Sequence, residues 1–415
     1  MNLQTKAEPL DSRSLEHPAL PPVQTIFLAA GITAAILLSI ATFTIADANL
    51  LIQLWIGLLL GYTLFHARFG FTSAFRRLMS VGNGEGLRAH MLMLAVASSL
   101  FAPILAYGAS FYGHDPTGFV SPVGTSLLVG AFIFGIGMQL GGGCASGTLY
   151  SVGGGRSSMF ITLFGFIAGS VIGAAHFDFW MNETPTLPAI SLATDTGLGY
   201  GGAWLLQLVI FAGIIFLTYY IQRKKNPPKM ALVPSAQGMK RIFRGSWPLL
   251  IAGVVLAVLN AVTLLVRGQP WGITSAFALW GSKAAQFIGI DVASWGYWSG
   301  ERAQELNQSV FLDSTSVMNF GIMAGAFIAA AAGGVFVLKK IPPKVMIASL
   351  IGGIMMGYGA RLAFGCNIGA YFSGVASFSL HGWVWAVMAL AGTYFALYLR
   401  PLFGLSVPKP TDSSC

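Results

Sequence analysis

Two cysteines in this sequence are set in unusual surroundings. Cys144 follows Gly141, Gly142 and Gly143 and precedes Gly147, Gly153, Gly154 and Gly155, while Cys366 follows Gly357, Gly359 and Gly365 and precedes Gly369. Glycine is poorly suited to helix interiors, so a helix that reaches either motif is expected to break there. If the surroundings are apolar, broken backbone persists only when buried in protein or lining a cavity. The N–H groups freed at the start of the next helix favour an anion. A thiol is soft and weakly acidic, and it suits a large polarizable sulfur-bearing ligand better than a hard oxyanion such as phosphate. The competing reading is packing: glycines that let helices approach, with thiols as small buried hydrophobes. One such motif would favour packing. Two in register favour a pathway.

The register is internal. Cys144 and Cys366 are 222 residues apart, and the same offset pairs Gly130 with Gly352, Gly135 with Gly357, Gly137 with Gly359, Leu140 with Leu362, Gly143 with Gly365, Gly147 with Gly369 and Ser151 with Ser373. Upstream, Gly70-Phe71-Thr72-Ser73-Ala74-Phe75 is echoed by Gly272, Thr274, Ser275, Ala276 and Phe277 at an offset of 202. The chain is therefore a repeat. The growth of the offset places an insertion in the second half, expected in the polar stretch from Asp291 to Asp313.

The elements that must position these motifs are membrane spans. Of the 415 residues, 55% are hydrophobic and only 9% charged, against roughly 25% charged in a soluble domain. Apolar runs begin near Thr25, Asn49, Arg88, Val123, Ser158, Gly199, Ser246, Ser314, Lys344 and Leu380, about ten spans at about 20 residues each. The formal net charge of +9 does not form a nucleic-acid patch, because the basic residues sit in alternate loops. Arg68, Arg76, Arg77 and Arg88, then Arg156, then Arg223 to Arg244, then Lys339 to Lys344 mark the cytoplasmic side. The intervening loops carry His114 and Asp115; Asp178, Glu183 and Asp195; and Asp291, Glu301, Arg302, Glu305 and Asp313, and they face outward. Both termini are then expected inside, as an even number of spans requires. The span leading to Cys144 starts outside and that leading to Cys366 starts inside. The halves are antiparallel, the inverted-repeat architecture of secondary transporters, with a site near the midplane.

The expected fold is thus an all-α polytopic membrane protein with inverted repeats and broken or short helices at the Gly-Cys motifs. The expected layout is a cytoplasmic tail (1–24), an extra helix (25–48), repeat half 1 (49–222), a basic linker (223–245), repeat half 2 (246–403) and a cytoplasmic tail (404–415). Residues 1–24 have no signal-peptide pattern. The third cysteine, Cys415, ends a polar tail and has no expected role. No zinc-like spacing is present, and no cofactor is expected.

Further polar residues fall inside spans. Arg361 precedes Cys366 by five residues, at a depth where a charge costs about 3 kcal/mol even on lenient scales, so it needs an anion, a wet cavity or helix-end carbonyls. Its counterpart at the repeat offset is Gln139. Asn367, Tyr358, Ser146, Tyr150 and the pairs Thr72 with Ser73 and Thr274 with Ser275 add donors. The candidate binding set is Cys144, Cys366, Arg361, Gly143, Gly365, Asn367, Thr72, Ser73, Thr274 and Ser275.

The Gly-Gly-Gly-Cys motif (Gly141 to Cys144), the Phe-Gly-Cys-Asn motif (Phe364 to Asn367) after Gly359-Ala360-Arg361, and the paired Thr-Ser-Ala-Phe motifs resemble the YeeE/YedE family across about Asn49 to Phe403. The resemblance implies a bacterial inner-membrane sulfur transporter with thiosulfate uptake as the characterised activity. It also implies an hourglass of long and short helices, weak hydrogen bonds from thiols along a central path, and a small soluble sulfur-carrier protein as a partner. Cys144 and Cys366 match the family's two central cysteines. Many members have a further cysteine where this chain has Gly70, and Gly272 does not replace it. The expected function is passage of thiosulfate or a similar sulfur anion. The alternative is an intramembrane thiol or persulfide enzyme, or the membrane subunit of a sulfur redox complex.

Overall fold

The computed structural model describes residues 20–231, 233–300 and 302–414; most of the expected N-terminal tail, Glu301 and Cys415 lie outside them. The first half contains α1 (Thr25–Ile45), α2 (Ala48–Ala67), α3 (Phe71–Val81), α4 (Glu85–Tyr107), β1 (Pro122–Gly124), α5 (Thr125–Gly141), α6 (Ala145–Gly153) and α7 (Ser157–Ala175). After α8 (Phe177–Asn182) and β2 (Thr186–Ala189), which pairs antiparallel with β1, come α9 (Gly199–Lys225), α10 (Lys240–Phe243), α11 (Leu249–Arg267), α12 (Thr274–Phe287) and α13 (Arg302–Glu305). The chain closes with α14 (Ser314–Ala332), α15 (Pro343–Leu362), a π-helical segment (Asn367–Ser373), α16 (Gly374–Ala376) and α17 (Leu380–Leu399). Ten segments among the described residues are long and apolar enough to cross a membrane, and their starts match the apolar runs of the sequence. The protein is an all-α multi-pass membrane protein.

Glycine fixes how the central helices meet. A Cβ on Gly130 would lie 2.8 Å from Gly359 O, and one on Gly137 would lie 2.7 Å from Gly352 O. Gly352 and Gly359 are the repeat partners of Gly130 and Gly137. Each residue therefore touches the repeat partner of the other, which is the reciprocity of a two-fold axis, and α5 and α15 run antiparallel across it. Without side chains at these four positions the two backbones can approach.

The outer packing follows the same exchange of halves. Helix α15 packs on α7 as α5 packs on α17; α14 packs on α2 as α4 packs on α11; α12 packs on α7 as α3 packs on α17. Helix α1 lies on α14, and α9 lies on α4. The insertion falls after α12, where residues 288–313 occupy the place of the short connection between α3 and α4. It is pinned rather than loose: Gly296 N donates to Asp178 Oδ2 at 3.0 Å, Trp298 Nε1 to Ser282 Oγ at 3.0 Å, and Lys283 Nζ to the Leu306 and Gln308 carbonyls at 2.6 Å each.

Candidate functional site

Both Gly-Cys motifs break their helices. Helix α5 stops at Gly142, whose φ of +81° is left-handed, a conformation glycine adopts without penalty. Cys144 then caps α6, with Thr148 N and Oγ1 both donating to its carbonyl at 2.8 Å. After α15 the chain passes through Phe364 (φ +58°) and Gly365 (φ +149°) before Cys366 caps the π-helical segment. Substitution of Gly365 would place a Cβ 2.9 Å from Ala370 N, so the turn demands glycine twice over. Both thiols are buried at 1% exposure. Cys144 Sγ lies 3.4 Å from Ser146 Oγ, and Cys366 Sγ accepts from Ile368 N at 3.4 Å. Helix α6 packs directly on the π-helical segment, so the two motifs meet at the centre. A run of π-helix at this point fits a functional site.

A cavity reaches this centre from each side. The one on the side of the basic loops, about 590 Å³, is lined by Arg68, Arg76, Arg77 and Arg156, by Thr72 and Ser73, and by Gly143 and Cys144. Among the described residues, no acidic side chain lines it. The opposite one, about 520 Å³, is lined by Arg267, Arg302 and Arg361, by Thr274 and Ser275, by Gly365, and by Glu305 and Asp313. The short helices α3 and α12 thus bring each Thr-Ser pair to a cavity wall, as the repeat requires. Cys366 and Asn367 follow Gly365 into the protein and line neither cavity. Both amide atoms of Asn367 are buried without a hydrogen-bond partner, as is Thr72 Oγ1.

Arg361 is buried at 6% exposure and forms no hydrogen bond to a helix-end carbonyl and no ion pair among the described residues. Its guanidinium donates to the hydroxyls of Tyr297 and, at 2.7 Å, Thr274, while its Nε is unpartnered. Helix α7 makes room for the stem at Gly173, where a Cβ would be 2.8 Å from Arg361 Cβ. The repeat partner Gln139 instead sits in a closed network: Nε2 donates to Thr72 O at 3.0 Å, and Oε1 accepts from Arg76 at 3.2 Å.

Tyr297, Trp271, Arg302, Arg267 and the four arginines of the other cavity are missing from the candidate set read from the sequence. The arginines carried a topological signal that hid a second role, and Tyr297 belongs to the insertion, which no repeat partner marks.

Inverted halves, helices broken at the Gly-Cys motifs and two arginine-lined cavities, one reaching Gly143 and Cys144 and the other Gly365, define a membrane transporter of the inverted-repeat class. The chain belongs to the Sulphur transport family, whose model matches residues 66–395. It is similar to the thiosulfate transporter TsuA of Escherichia coli K12, with 26% identity over 358 residues covering 83% of this chain and 94% of that protein. It is equally similar to TsuA of Spirochaeta thermophila, with 27% identity over 365 residues covering 82% and 97%. The probable transporter YedE of Escherichia coli is 32% identical over 164 residues, 39% of this chain and 40% of that protein.

Proposed function

We propose that this chain is a permease for thiosulfate or a related small sulfur-containing anion, passing it from the Arg361 cavity past Cys366 and Cys144 into the Arg68–Arg156 cavity. The observation that carries this reading is that two arginine-lined cavities end at the two repeat-related breaks, one at Gly143 and Cys144 and the other at Gly365, with the two broken segments packed on each other between them. The names of the full-length relatives support the substrate class. Arginine in the cavity walls holds the anion's charge; the thiols offer weak S–H donors to its sulfur; Gly143 and Gly365 keep side chains out of the path. Asn367, Thr72, Ser73, Thr274 and Ser275 supply neutral polar atoms along it.

The same reading puts the protein in a bacterial inner membrane with the basic loops and both termini in the cytoplasm. Passage is then inward and drawn by consumption, with a small soluble sulfur-carrier protein as the receiving partner. The position of α1 on α14, matching α9 on α4, leads us to propose repeat halves of 25–175 and 199–403 in place of 49–222 and 246–403.

The test is uptake of doubly labelled thiosulfate by proteoliposomes. Both sulfur atoms should arrive together and unchanged. Release of sulfite with sulfur left on the protein would overturn the permease reading in favour of a thiol enzyme.

A further inference from the structure

The two halves are near-equivalents, yet their cavities end differently. Two residues that line the cavity opposite the basic loops carry buried, unpartnered N–H donors: Arg361 Nε and Trp271 Nε1. Both belong to residues held in place by other contacts. Trp271 is fully buried; its backbone N donates to Asn260 Oδ1 at 2.8 Å, and its carbonyl accepts from Ser373 Oγ at 2.8 Å. The Arg361 guanidinium is anchored by Tyr297 and Thr274, and the Tyr297 ring lies under a second guanidinium, Arg302 Cζ standing 4.8 Å from its centroid. Buried donors are normally satisfied, and two unpartnered ones on residues lining the same cavity call for an acceptor from outside the chain.

Across the repeat, both donors are missing. The offset of 222 maps Arg361 to Gln139, whose amide is already bonded to Thr72 O, and the offset of 202 maps Trp271 to Phe69, which has no N–H. Tyr297 and Arg302 lie in the insertion and have no counterpart. The Arg68–Arg156 cavity therefore offers charge, with Thr72 Oγ1 and His90 Nδ1 as its own unpartnered atoms, but not this arginine–tryptophan pair.

We propose that the Arg361 cavity is a one-sided recognition site for the oxyanion end of the cargo, in which Arg361 Nε and Trp271 Nε1 donate to sulfonate-type oxygens while Tyr297 and Thr274 hold the guanidinium. This rests on the permease reading and deepens it. Selection is by the tetrahedral oxygen-bearing group, made once, on the entrance side, and the sulfur end is left for the thiols. Sulfate and sulfite, which present the same group, should occupy the site; hydrosulfide, which lacks it, should not.

Calorimetry on the purified full-length protein in detergent should show thiosulfate binding displaced by sulfate but not by hydrosulfide at equal concentration. Trp271→Phe keeps a ring and removes the donor, and should weaken thiosulfate and sulfate binding alike by about tenfold, the value of one charge-assisted hydrogen bond. In proteoliposomes, sulfate should inhibit thiosulfate uptake only from the side opposite the basic loops. Absence of sulfate competition in the wild type, unchanged binding by a folded Trp271→Phe protein, or equal inhibition from both sides would each overturn the proposal; if the variant does not fold, the two wild-type measurements decide. A protein that transports thiosulfate without sulfate competition loses this site and keeps the permease function. One that binds both anions and transports neither does the reverse.

Discussion

Arg361→Gln separates a pathway charge from a structural one. Its guanidinium makes two hydrogen bonds, to Tyr297 and Thr274, each worth about 1.5–3 kcal/mol for a charged donor. Against their loss stands relief of a buried charge without an ion-pair partner, about 2.5–3.5 kcal/mol on insertion scales. Glutamine can also keep one of the two bonds. The terms nearly cancel, so stability should fall by no more than about 2 kcal/mol. Transport has no such compensation. Loss of one charge-assisted contact to the anion, about 1.5–3 kcal/mol, should lower kcat/KM for uptake about ten- to a hundredfold. The assay pairs initial uptake rates in proteoliposomes, normalised to folded protein, with thermal unfolding in detergent. A large fall in unfolding temperature with normal uptake per folded molecule would refute the reasoning and make Arg361 a structural residue. Arg361→Lys should restore little, because it keeps the charge but loses the planar fork that spans Tyr297 and Thr274.

Cys366→Ala should abolish uptake and leave membrane insertion intact, as read by rate and by expression; wild-type uptake would remove the thiol from the path. With Cys415 changed to Ser, an impermeant thiol reagent should reach Cys366 faster from the side opposite the basic loops and Cys144 faster from the basic side, with thiosulfate slowing both; equal labelling from one side would contradict the topology. Gly352→Ala would set a Cβ 2.2 Å from Gly141 N and 2.6 Å from Gly137 O, and should cost about 1–3 kcal/mol in chemical unfolding, whereas Gly213→Ala on α9, with no atom within 4 Å, should be neutral or stabilising. Burial, reinforced by nearby Asp313, raises the Glu305 carboxyl above its ordinary range in the cavity wall. Its charge is therefore lost above the ordinary glutamate range as pH falls, so KM for an anion should drop as pH falls through that raised range, and Glu305→Gln should flatten the profile; an unchanged slope in the variant would exclude Glu305 as its source.

The sequence alone determined what the bilayer enforces. Apolar runs of span length, basic residues in alternate loops and glycines in register are local or periodic signals, because hydrocarbon punishes every unsatisfied backbone group and every misplaced charge. From them follow the spans, the antiparallel halves, the breaks at Cys144 and Cys366 and the insertion before Asp313. Tertiary structure alone decided which polar groups face which cavity. Arg361 finds its anchors at Thr274 and Tyr297, 87 and 64 residues away, and the latter lies in a segment without a repeat partner. Arg76 and Arg156 read as topology markers until packing turned them into the same cavity wall. The equivalence of α1 and α9 is likewise a matter of contact with α14 and α4, because a lipid-facing helix needs only to be apolar. Periodicity records the solvent each residue must meet; the partners it meets across the chain are set only when the helices close on one another.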